Sequence, residues 1–482
     1  MSMNGTGANG CLSSSSSTGS ITPDIVADAG MHSSQQESHQ EQLPSLHHGF
    51  LNTLKAFPNK EFLGVRYINA DGTPGACFEF ETYREVELSV TAIGRSLWAA
   101  GCRRGDRVGV MGPNSPEWIK IMLGCSTFGA VLVPVPEDAT AGLLSDALTS
   151  CRIKVMFVHA NHLVRTAGSL KGIAAVHERH VVEVVCVWGG GYRGTEPDPD
   201  LAAVCLSAGV SKVQGFESFK RSHFRLGTDA ALLQLPPPTA TDEATLIADA
   251  ATGMLNASSL ATSGYKPGTT VKFVSYTHED LLAMLAEHDA PQHTTGRATA
   301  DDVVDQDVMP AQQVKGAEHD VFYSCMPLSI LGVRLMIDKA VAVGGAVGIW
   351  QGNDSLLLSD AAALHPTVIY GTPATWEQLL EALQTQLCKQ GWVRRCMMHA
   401  ALALKQLSQQ LPIITSFQIL PFMWEHILRS SFQLCVGGKL KAVVNVGPVA
   451  PAKGVEAFLN DALNVRIAQL HDGHSAANGV CV

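Results

Sequence analysis

Charged residues are scarce in this chain of 482 residues, and basic ones are outnumbered by acidic ones. Lys, Arg, Asp and Glu make up 16% of it, against about 25% in typical soluble domains. The 34 basic and 44 acidic residues give a formal net charge of −10, which argues against a broad basic surface for nucleic acid. Apolar residues make up 46%, so the composition excludes a mainly disordered or fibrous chain. The length allows about three domains or subdomains.

Signals for metal clusters, export and membrane spans are also missing. The twelve cysteines include no C-x-x-C pair, so neither a zinc ribbon nor a thioredoxin-type motif is expected, and scattered thiols indicate a reducing compartment. No Lys or Arg precedes Lys55, so neither a secretory signal nor an Arg-rich transit peptide is predicted. The longest uncharged apolar stretch, Ile121 to Pro136, is too short to cross a bilayer easily. We expect a soluble, cytoplasmic protein, with peripheral membrane attachment as the alternative.

Composition along the chain predicts three regions. Residues 1–45 are rich in serine and glutamine and are expected to form a disordered tail, because they lack the apolar residues that offset the entropy of ordering. Residues 46–240 are expected to form a first α/β subdomain with a loop insertion near 189–240. Residues 241–482 are expected to form a second α/β subdomain.

Helical and strand-like segments alternate through both predicted subdomains. Residues 82–85, T-Y-R-E, form a capping box that begins a helix. Apolar runs such as Val108–Met111 are typical of buried strands. This alternation favours mostly parallel sheets covered by helices on both faces. We also expect the strands around Thr245, Val321 and Val465 to share one sheet.

Several motifs that would indicate a known chemistry are absent or incomplete. There is no G-x-S-x-G elbow and no Walker A loop, so neither a hydrolase triad nor a P-loop is indicated. Gly189, Gly191 and Gly194 have the dinucleotide-fingerprint spacing, but two prolines follow them, and a flexible loop is the better interpretation. His471 and His474 are spaced as metal ligands, yet no third ligand can be assigned, so no metal site is predicted.

The segment from Thr262 to Lys272 is more informative. It reads T-S-G-Y-K-P-G-T-T-V-K and gathers glycines, hydroxyl side chains and two lysines between apolar stretches. Backbone N–H groups and hydroxyls in such a loop can hold phosphate, and a lysine can neutralise its charge. Two interpretations remain open here, a phosphate-binding loop and an ordinary surface loop.

Three longer segments carry a resemblance to a known family. They are F-E-T-Y-R-E-V at 80–86, R-R-G-D-R-V-G-V-M-G-P-N-S-P-E-W at 103–118, and the block from Ala346 to Pro373 that contains G-I-W-Q-G-N-D-S-L-L-L-S-D. From Leu63 onward the chain resembles eukaryotic long-chain acyl-CoA synthetases of the adenylate-forming superfamily. The resemblance implies an α/β fold, the stacked αβαβα-type N-terminal domain of that superfamily. It covers the front two-thirds or so of a full-length enzyme, so the family's β-barrel and C-terminal domain are expected to be missing.

The family activates fatty acids in two steps, and the resemblance implies this chemistry. A carboxylate attacks ATP, bound with Mg²⁺, to give an acyl-adenylate and pyrophosphate, and the thiol of CoA then displaces AMP. Catalysis requires that the charge on phosphorus and on the departing pyrophosphate be stabilised. The resemblance therefore implies ATP and Mg²⁺ as cofactors and CoA as co-substrate.

Individual residues match the family's nucleotide-binding motifs. Lys272–His278, K-F-V-S-Y-T-H, matches the second half of the family's phosphate loop. Residues 446–450 match the adenine-contacting segment, and residues 469–476 match the segment with the Mg²⁺-binding glutamate. The resemblance implies six nucleotide-binding residues: Lys272, Thr277, His278, Gly447, Gln469 and His471.

Other positions depart from the family pattern, and we expect catalysis to be impaired. Ser475 replaces the Mg²⁺-binding glutamate, and a hydroxyl cannot supply a carboxylate's charge to the metal. Ile330 and Val333 replace the histidine and glutamate of the family's strand-end motif, of which Arg334 remains. Asp249 stands where the phosphate loop should begin and would repel a triphosphate. No catalytic and no metal-binding residue is therefore predicted.

Three hypotheses follow from this mixture of retained and lost residues. The first is a long-chain fatty acid–CoA ligase homologue with impaired catalysis. The second is a non-catalytic paralogue, a pseudoenzyme that binds acyl or nucleotide ligands, and the third is a truncated product. The expected ligands are a fatty acid and ATP or AMP, with no nucleic acid. Association with the endoplasmic reticulum membrane, and self-association at the face where the missing domains would pack, are further expectations.

Overall fold

A computed structural model describes residues 45–176, 182–189, 196–222, 237–249, 271–289, 320–389, 430–446, 449–463 and 465–470. Residues 1–44 of the predicted tail lie outside these ranges, and so does part of the predicted loop insertion. The loop from Thr262 to Thr270 and the residues from His471 onward lie outside them as well.

Helices and strands alternate along the described ranges. The helices are α1 (Leu46–Ala56), α2 (Tyr83–Ala99), α3 (Pro116–Phe128), α4 (Ala141–Ser150), α5 (Leu163–Val176), α6 (Pro199–Ser207), α7 (Phe216–Lys220), α8 (His278–Asp289), α9 (Leu331–Val343), α10 (Leu357–Leu364), α11 (Pro373–Lys389), α12 (Ser430–Cys435) and α13 (Lys453–Leu463). The strands are β1 (Glu61–Val65), β2 (Glu79–Thr82), β3 (Arg107–Met111), β4 (Val131–Val135), β5 (Ile153–His159), β6 (Val184–Trp188), β7 (Lys212–Gly215), β8 (Glu243–Asp249), β9 (Lys272–Thr277), β10 (Val321–Ser324), β11 (Ala346–Ile349), β12 (Val368–Gly371), β13 (Ala442–Val446) and β14 (Arg466–Leu470).

The strands form two seven-stranded sheets with the same arrangement. Sheet I has the order β7-β6-β5-β3-β4-β8-β9, and sheet II has the order β14-β13-β12-β10-β11-β1-β2. Neighbouring strands are parallel except at one edge of each sheet, where β9 pairs antiparallel with β8 and β2 with β1. The predicted fold class, an α/β fold with mostly parallel sheets, is therefore confirmed.

One expectation about the sheets is wrong. The strand around Thr245 lies in sheet I, where Thr245 is in register with Leu132 and donates its hydroxyl to the Leu132 carbonyl at 2.9 Å. The strands around Val321 and Val465 lie in sheet II. Helix–strand alternation predicts parallel pairing but not which sheet a strand joins, because that choice depends on long-range register. Each sheet therefore contains strands from before and after residue 240. The predicted subdomain boundary between residues 240 and 241 stays a prediction.

Buried apolar side chains fill three layers around the two sheets. The largest cluster includes residues from both sheets and from helices such as α1, α3 and α9, for example Phe50, Trp118 and Ile337. A second cluster packs α4, α5 and α6 onto the other face of sheet I. A third packs α10, α11 and α13 onto the other face of sheet II. Helices thus cover both faces of each sheet, as parallel strands require.

The capping box predicted at the start of α2 is present. The Glu85 amide donates to the Thr82 hydroxyl at 3.3 Å, and the Thr82 amide donates to the Glu85 carboxylate at 2.7 Å. Two amides that have no partner within the helix are thereby satisfied. This pair explains why the helix begins at Tyr83.

We expect Thr82→Ala to lower the free energy of unfolding by about 1 kcal/mol, because the substitution removes this N-cap. Urea denaturation of the purified chain measures the change. Thr91→Ala, in the middle of the same helix, is the matched control and should stay within about 0.5 kcal/mol of wild type. Equal effects of the two substitutions would contradict a capping role for Thr82.

Candidate functional site

The carboxyl edge of sheet II is the place where the fold predicts a ligand. The chain passes from β10 to β11 on one side and then returns to β12 on the other side of β10. In open α/β sheets, ligands bind at the carboxyl ends of the strands where the strand order reverses in this way. The carboxyl ends of β10, β12, β13 and β14 lie at this edge, because these four strands are parallel.

A buried asparagine organises this edge. Asn445, near the end of β13, is fully buried, and its Oδ1 accepts a hydrogen bond from the indole Nε1 of Trp376 at 2.8 Å. Its Nδ2 donates to the carbonyl of Val449 and to Oε1 of Gln469, both at 2.8 Å. The register also places Asn445 beside Gln469 on β14. The side chain of Gln469 is therefore held in a fixed position at the strand ends.

The sequence analysis missed Asn445. It is the polar residue of the strand Ala442–Val446, whose other positions are apolar. A polar side chain within a buried strand requires a partner, since an unpaired one costs about 1–3 kcal/mol. That interruption of the apolar pattern was the available signal.

Lys272 lies at the start of β9 with its side chain exposed. The antiparallel register pairs it with Asp249, the last residue of β8. Because β8 runs parallel to β4, Lys272 lies at the carboxyl edge of sheet I. This position is open to a ligand, as the phosphate-loop interpretation requires.

Thr277 and His278 lie at the other end of β9, about 17 Å from Lys272 at the rise of an extended strand. Thr277 caps α8, because its hydroxyl accepts from the Asp280 amide at 3.1 Å, while its own amide and hydroxyl donate to the Asp280 carboxylate at 2.8 Å. His278 is fully buried. The structure therefore does not bring Lys272 together with Thr277 and His278, and the nucleotide-binding role of these three residues stays a prediction.

His278 belongs to a buried polar cluster, together with Arg334 and Asp338 on α9. Neither ring nitrogen of His278 has a hydrogen-bond partner within the described residues. Burial, reinforced by the charge of Arg334, lowers the pKa of His278 to about 4. Nε of Arg334 lies 3.4 Å from Oδ2 of Asp338. Burial nevertheless raises the pKa of Asp338 to about 6, so desolvation outweighs the attraction to Arg334.

The strand-end motif after β10 lies in apolar surroundings. Ile330 precedes α9 and offers the helix no side-chain cap. Ile330 and Val333 are both buried and belong to the central apolar cluster. Core side chains therefore occupy the two positions at which long-chain acyl-CoA synthetases have histidine and glutamate.

The remaining predicted nucleotide-binding residues, Gly447 and His471, lie outside the described residues, as does Ser475. Among the residues that the structure does describe, no three His, Cys, Asp or Glu side chains are grouped so as to hold a metal ion. Of the predicted set, Lys272 and Gln469 lie at carboxyl edges of the two sheets.

A cavity of about 740 Å³ lies away from these edges. Lys212, Gln214 and Arg221 are among its lining residues. Val184 and Lys212, which also line it, are the first residues of β6 and β7, so the cavity lies at the amino edge of sheet I. None of the sequence predictions involved it.

Within the described ranges, no helix combines the length and the apolar character that a bilayer-crossing segment needs.

Comparison with known proteins agrees with the fold. Residues 69–471 match the family described as AMP-binding enzyme. Long chain acyl-CoA synthetase 3 of Arabidopsis thaliana is 25% identical over 365 residues, which are 74% of this chain and 46% of that protein. The peroxisomal long chain acyl-CoA synthetase 6 of the same plant is 24% identical over 444 residues, 91% of this chain and 53% of that protein. The chain thus spans about half the length of the curated relatives it matches.

Solved structures show the same fold. The A domain of carboxylic acid reductase from Segniliparus rugosus, in complex with AMP and a co-purified carboxylic acid, has a TM-score of 0.61 at 16% identity, covering 90% of this chain and 60% of that one. An anthranilate CoA ligase in complex with anthranoyl-AMP has a TM-score of 0.54 at 16% identity, covering 88% and 58%. The predicted resemblance to long-chain acyl-CoA synthetases is confirmed, and the chain belongs to the AMP-binding enzyme family of adenylate-forming proteins.

Proposed function

We propose that this chain binds a fatty acid and an adenine nucleotide, and that its chemistry is the ATP-dependent activation of a fatty acid through acyl-AMP to acyl-CoA, with impaired catalysis. The observation that carries the proposal is Gln469, fixed by Asn445 at the carboxyl edge of sheet II. Gln469 is the residue that matches the start of the family's adenine and Mg²⁺ segment. The relatives named as long chain acyl-CoA synthetases support the fatty acid as substrate.

The described residues supply two of the functions that this chemistry needs. Gln469, anchored by a buried amide, provides a rigid polar contact for a nucleotide at the strand ends. Lys272 provides an exposed ammonium at the carboxyl edge of sheet I, where it would neutralise phosphate charge. In the superfamily Mg²⁺ further neutralises the phosphates, and the position of its glutamate, Ser475 in this chain, lies outside the described residues.

Impairment follows from residues that cannot stabilise charge. Ile330 and Val333 pack in the apolar core where the family has a histidine and a glutamate, and Ser475 stands at the position of a carboxylate. Loss of one preorganised electrostatic contact lowers kcat by about 10²–10³. Losses within one site are not additive, so their combined effect is a slow enzyme or none.

The burial of Ile330 and Val333 also favours a second candidate function. A relative that lacks charged groups at the reacting atoms still retains a scaffold that binds acyl-adenylate. Such a protein would act by binding its ligand or by pairing with an intact enzyme. The two candidates differ in turnover and agree on the ligand.

An ATP–pyrophosphate exchange assay with palmitate and Mg²⁺ separates them. We expect slow exchange above background in the wild type and none in Lys272→Ala, because the variant lacks the ammonium that faces phosphate. Lys171→Ala, an exposed lysine on α5, is the matched control and should behave as wild type. We also expect a non-hydrolysable palmitoyl-adenylate analogue to stabilise the fold, by about 2.7 kcal/mol at one hundred times its Kd.

The results have distinct meanings. Stabilisation by the analogue without exchange would favour the non-catalytic candidate. If the chain shows no exchange and the analogue gives no stabilisation, the proposed function is refuted. Equal exchange rates in Lys272→Ala and Lys171→Ala would show that Lys272 is not part of the nucleotide site.

A further inference from the structure

The side chain of Asn114 joins the carboxyl edges of the two sheets. Its Nδ2 donates to the carbonyl of Met326 at 2.9 Å, and its Oδ1 accepts from the amide of Leu328 at 2.8 Å. Asn114 follows β3, beside the point where the strand order of sheet I reverses. Met326 and Leu328 follow β10, at the equivalent point of sheet II. One amide group of sheet I therefore binds two backbone groups in the loop after β10.

The segment that carries Asn114 is rigid. Asn114 lies between Pro113 and Pro116, each of which fixes its own φ. Ser115 is the N-cap of α3 and accepts from the Trp118 amide at 3.3 Å. On the other side, a Cβ at Gly112 would lie 2.6 Å from side-chain atoms of His159 and Trp188, so the backbone is closely packed there. The position of the Asn114 amide is thus set before any ligand arrives.

The loop after β10 depends on this amide at its centre. Its first residue, Cys325, donates its amide to the Tyr370 carbonyl on β12 at 3.2 Å. At its end, the Ile330 amide donates to the Pro327 carbonyl at 3.2 Å, which closes a turn before α9. Between these two contacts, Asn114 satisfies the Met326 carbonyl and the Leu328 amide.

We propose that Asn114 is a positioning residue, which holds the loop from Cys325 to Ile330 in its ligand-binding geometry at the carboxyl edge of sheet II, where the proposed function places the acyl-adenylate. This proposal rests on the proposed function. Asn114 acts through the loop backbone and does not itself contact the ligand. A rigid second support of this kind is what keeps a binding site at its working geometry.

Two variants test the assignment, with Asn69→Ala as the control. Asn114→Ala removes both hydrogen bonds, whereas Asn114→Asp retains the acceptor for the Leu328 amide and loses the donor to Met326. Asn69 makes an exposed contact with Thr73 and has no contact with the loop. Calorimetry measures binding of the non-hydrolysable palmitoyl-adenylate analogue, hydrogen exchange reports on the Leu328 amide, and thermal denaturation reports on the unliganded fold.

We expect Asn114→Ala to bind the analogue roughly tenfold more weakly, because the loop that loses its support must be ordered at the expense of binding free energy. The Leu328 amide should exchange faster in Asn114→Ala and remain protected in Asn114→Asp, whose affinity should fall between wild type and Asn114→Ala. The affinity loss should exceed what any loss of unliganded stability explains.

Three outcomes would overturn the assignment. Binding by Asn114→Ala equal to that of Asn69→Ala would show that the loop does not need the amide. An affinity loss that only follows a lower melting temperature would show a purely structural role. Failure of the wild type to bind the analogue would refute the proposed function and this inference with it, and that failure is visible before any variant is made.

Discussion

Arg334→Met should lower the free energy of unfolding by about 3–5 kcal/mol at pH 7, because removing one partner leaves the buried charge of Asp338 uncompensated. Arg334 and Asp338 are exposed by only 2% and 6%. Arg334 has one other described contact, in which Nη2 donates to the Ser126 hydroxyl at 3.2 Å. Methionine is an unbranched side chain like arginine and carries no charge. Urea denaturation measures the loss.

The double variant Arg334→Met/Asp338→Leu separates the charge effect from packing. It removes both charges at once, and such replacements of buried ion pairs are often neutral or stabilising. We therefore expect it to recover most of the stability that Arg334→Met loses. Two results would contradict the ionic explanation: a single variant within about 1 kcal/mol of wild type, or a double variant less stable than the single one.

The same pair predicts a pH dependence. The pKa of Asp338 is raised to about 6 in the fold, above its unfolded value, so its contribution is most favourable at low pH and is lost as the pH rises through 6. At pH 5 the carboxyl is mostly protonated with or without Arg334, so it no longer needs the partner charge. The difference between wild type and Arg334→Met should therefore be smaller at pH 5 than at pH 7.

Lowering the pH from 6.5 to 5 should weaken the fold through His278 by about 2 kcal/mol, at 1.36 kcal/mol per pH unit. The pKa of His278 is lowered to about 4 by burial and by Arg334, so the unfolded state binds more protons between pH 4 and 6.5. Stability from this residue is complete above pH 6.5 and is lost as the pH falls toward 4. His47 has a pKa lowered to about 4 by burial and acts in the same direction, whereas Asp338 opposes both.

Two variants isolate the contribution of His278. His278→Phe and His278→Gln both remove the titrating ring, and the stability of either should fall less than that of wild type between pH 6.5 and 5. At neutral pH, His278→Phe should be more stable than His278→Gln. Gln leaves a buried polar group without partners, which costs about 1–3 kcal/mol, and Phe does not. Unfolding curves at several pH values give both quantities. A wild-type pH slope in both variants would show that protonation of His278 is not the cause.

The buried position of His278 shows what a resemblance in sequence can and cannot predict. The spacing from Lys272 to His278 matches a family segment, and the membership of the chain in that family is confirmed. Spacing along the chain does not report distance in the fold. Lys272 and His278 lie six positions apart, and the strand between them is extended. One short segment therefore contributes both to an exposed edge and to the core.

Local patterns gave reliable predictions because they depend on near neighbours. The capping box at Thr82 and Glu85 and the buried strand at Val108–Met111 are both present. Contacts such as that of Asn114 with Met326 join residues 212 positions apart, and no periodicity in the sequence signals them. The same limit explains why the sheet of Thr245 was not predicted.

The pairing of β1 with β11 has a consequence for folding during synthesis. Leu63 is in register with Val347, about 280 residues later. At a translation rate of about 5–20 residues per second, the amino-terminal strands emerge roughly 15–60 s before their partner exists. Sheet I contains none of these early strands, so it can assemble first while β1 and β2 wait with open edges. Chaperone contact with the nascent chain should therefore concentrate on the segment from Leu46 to Thr82 until sheet II closes.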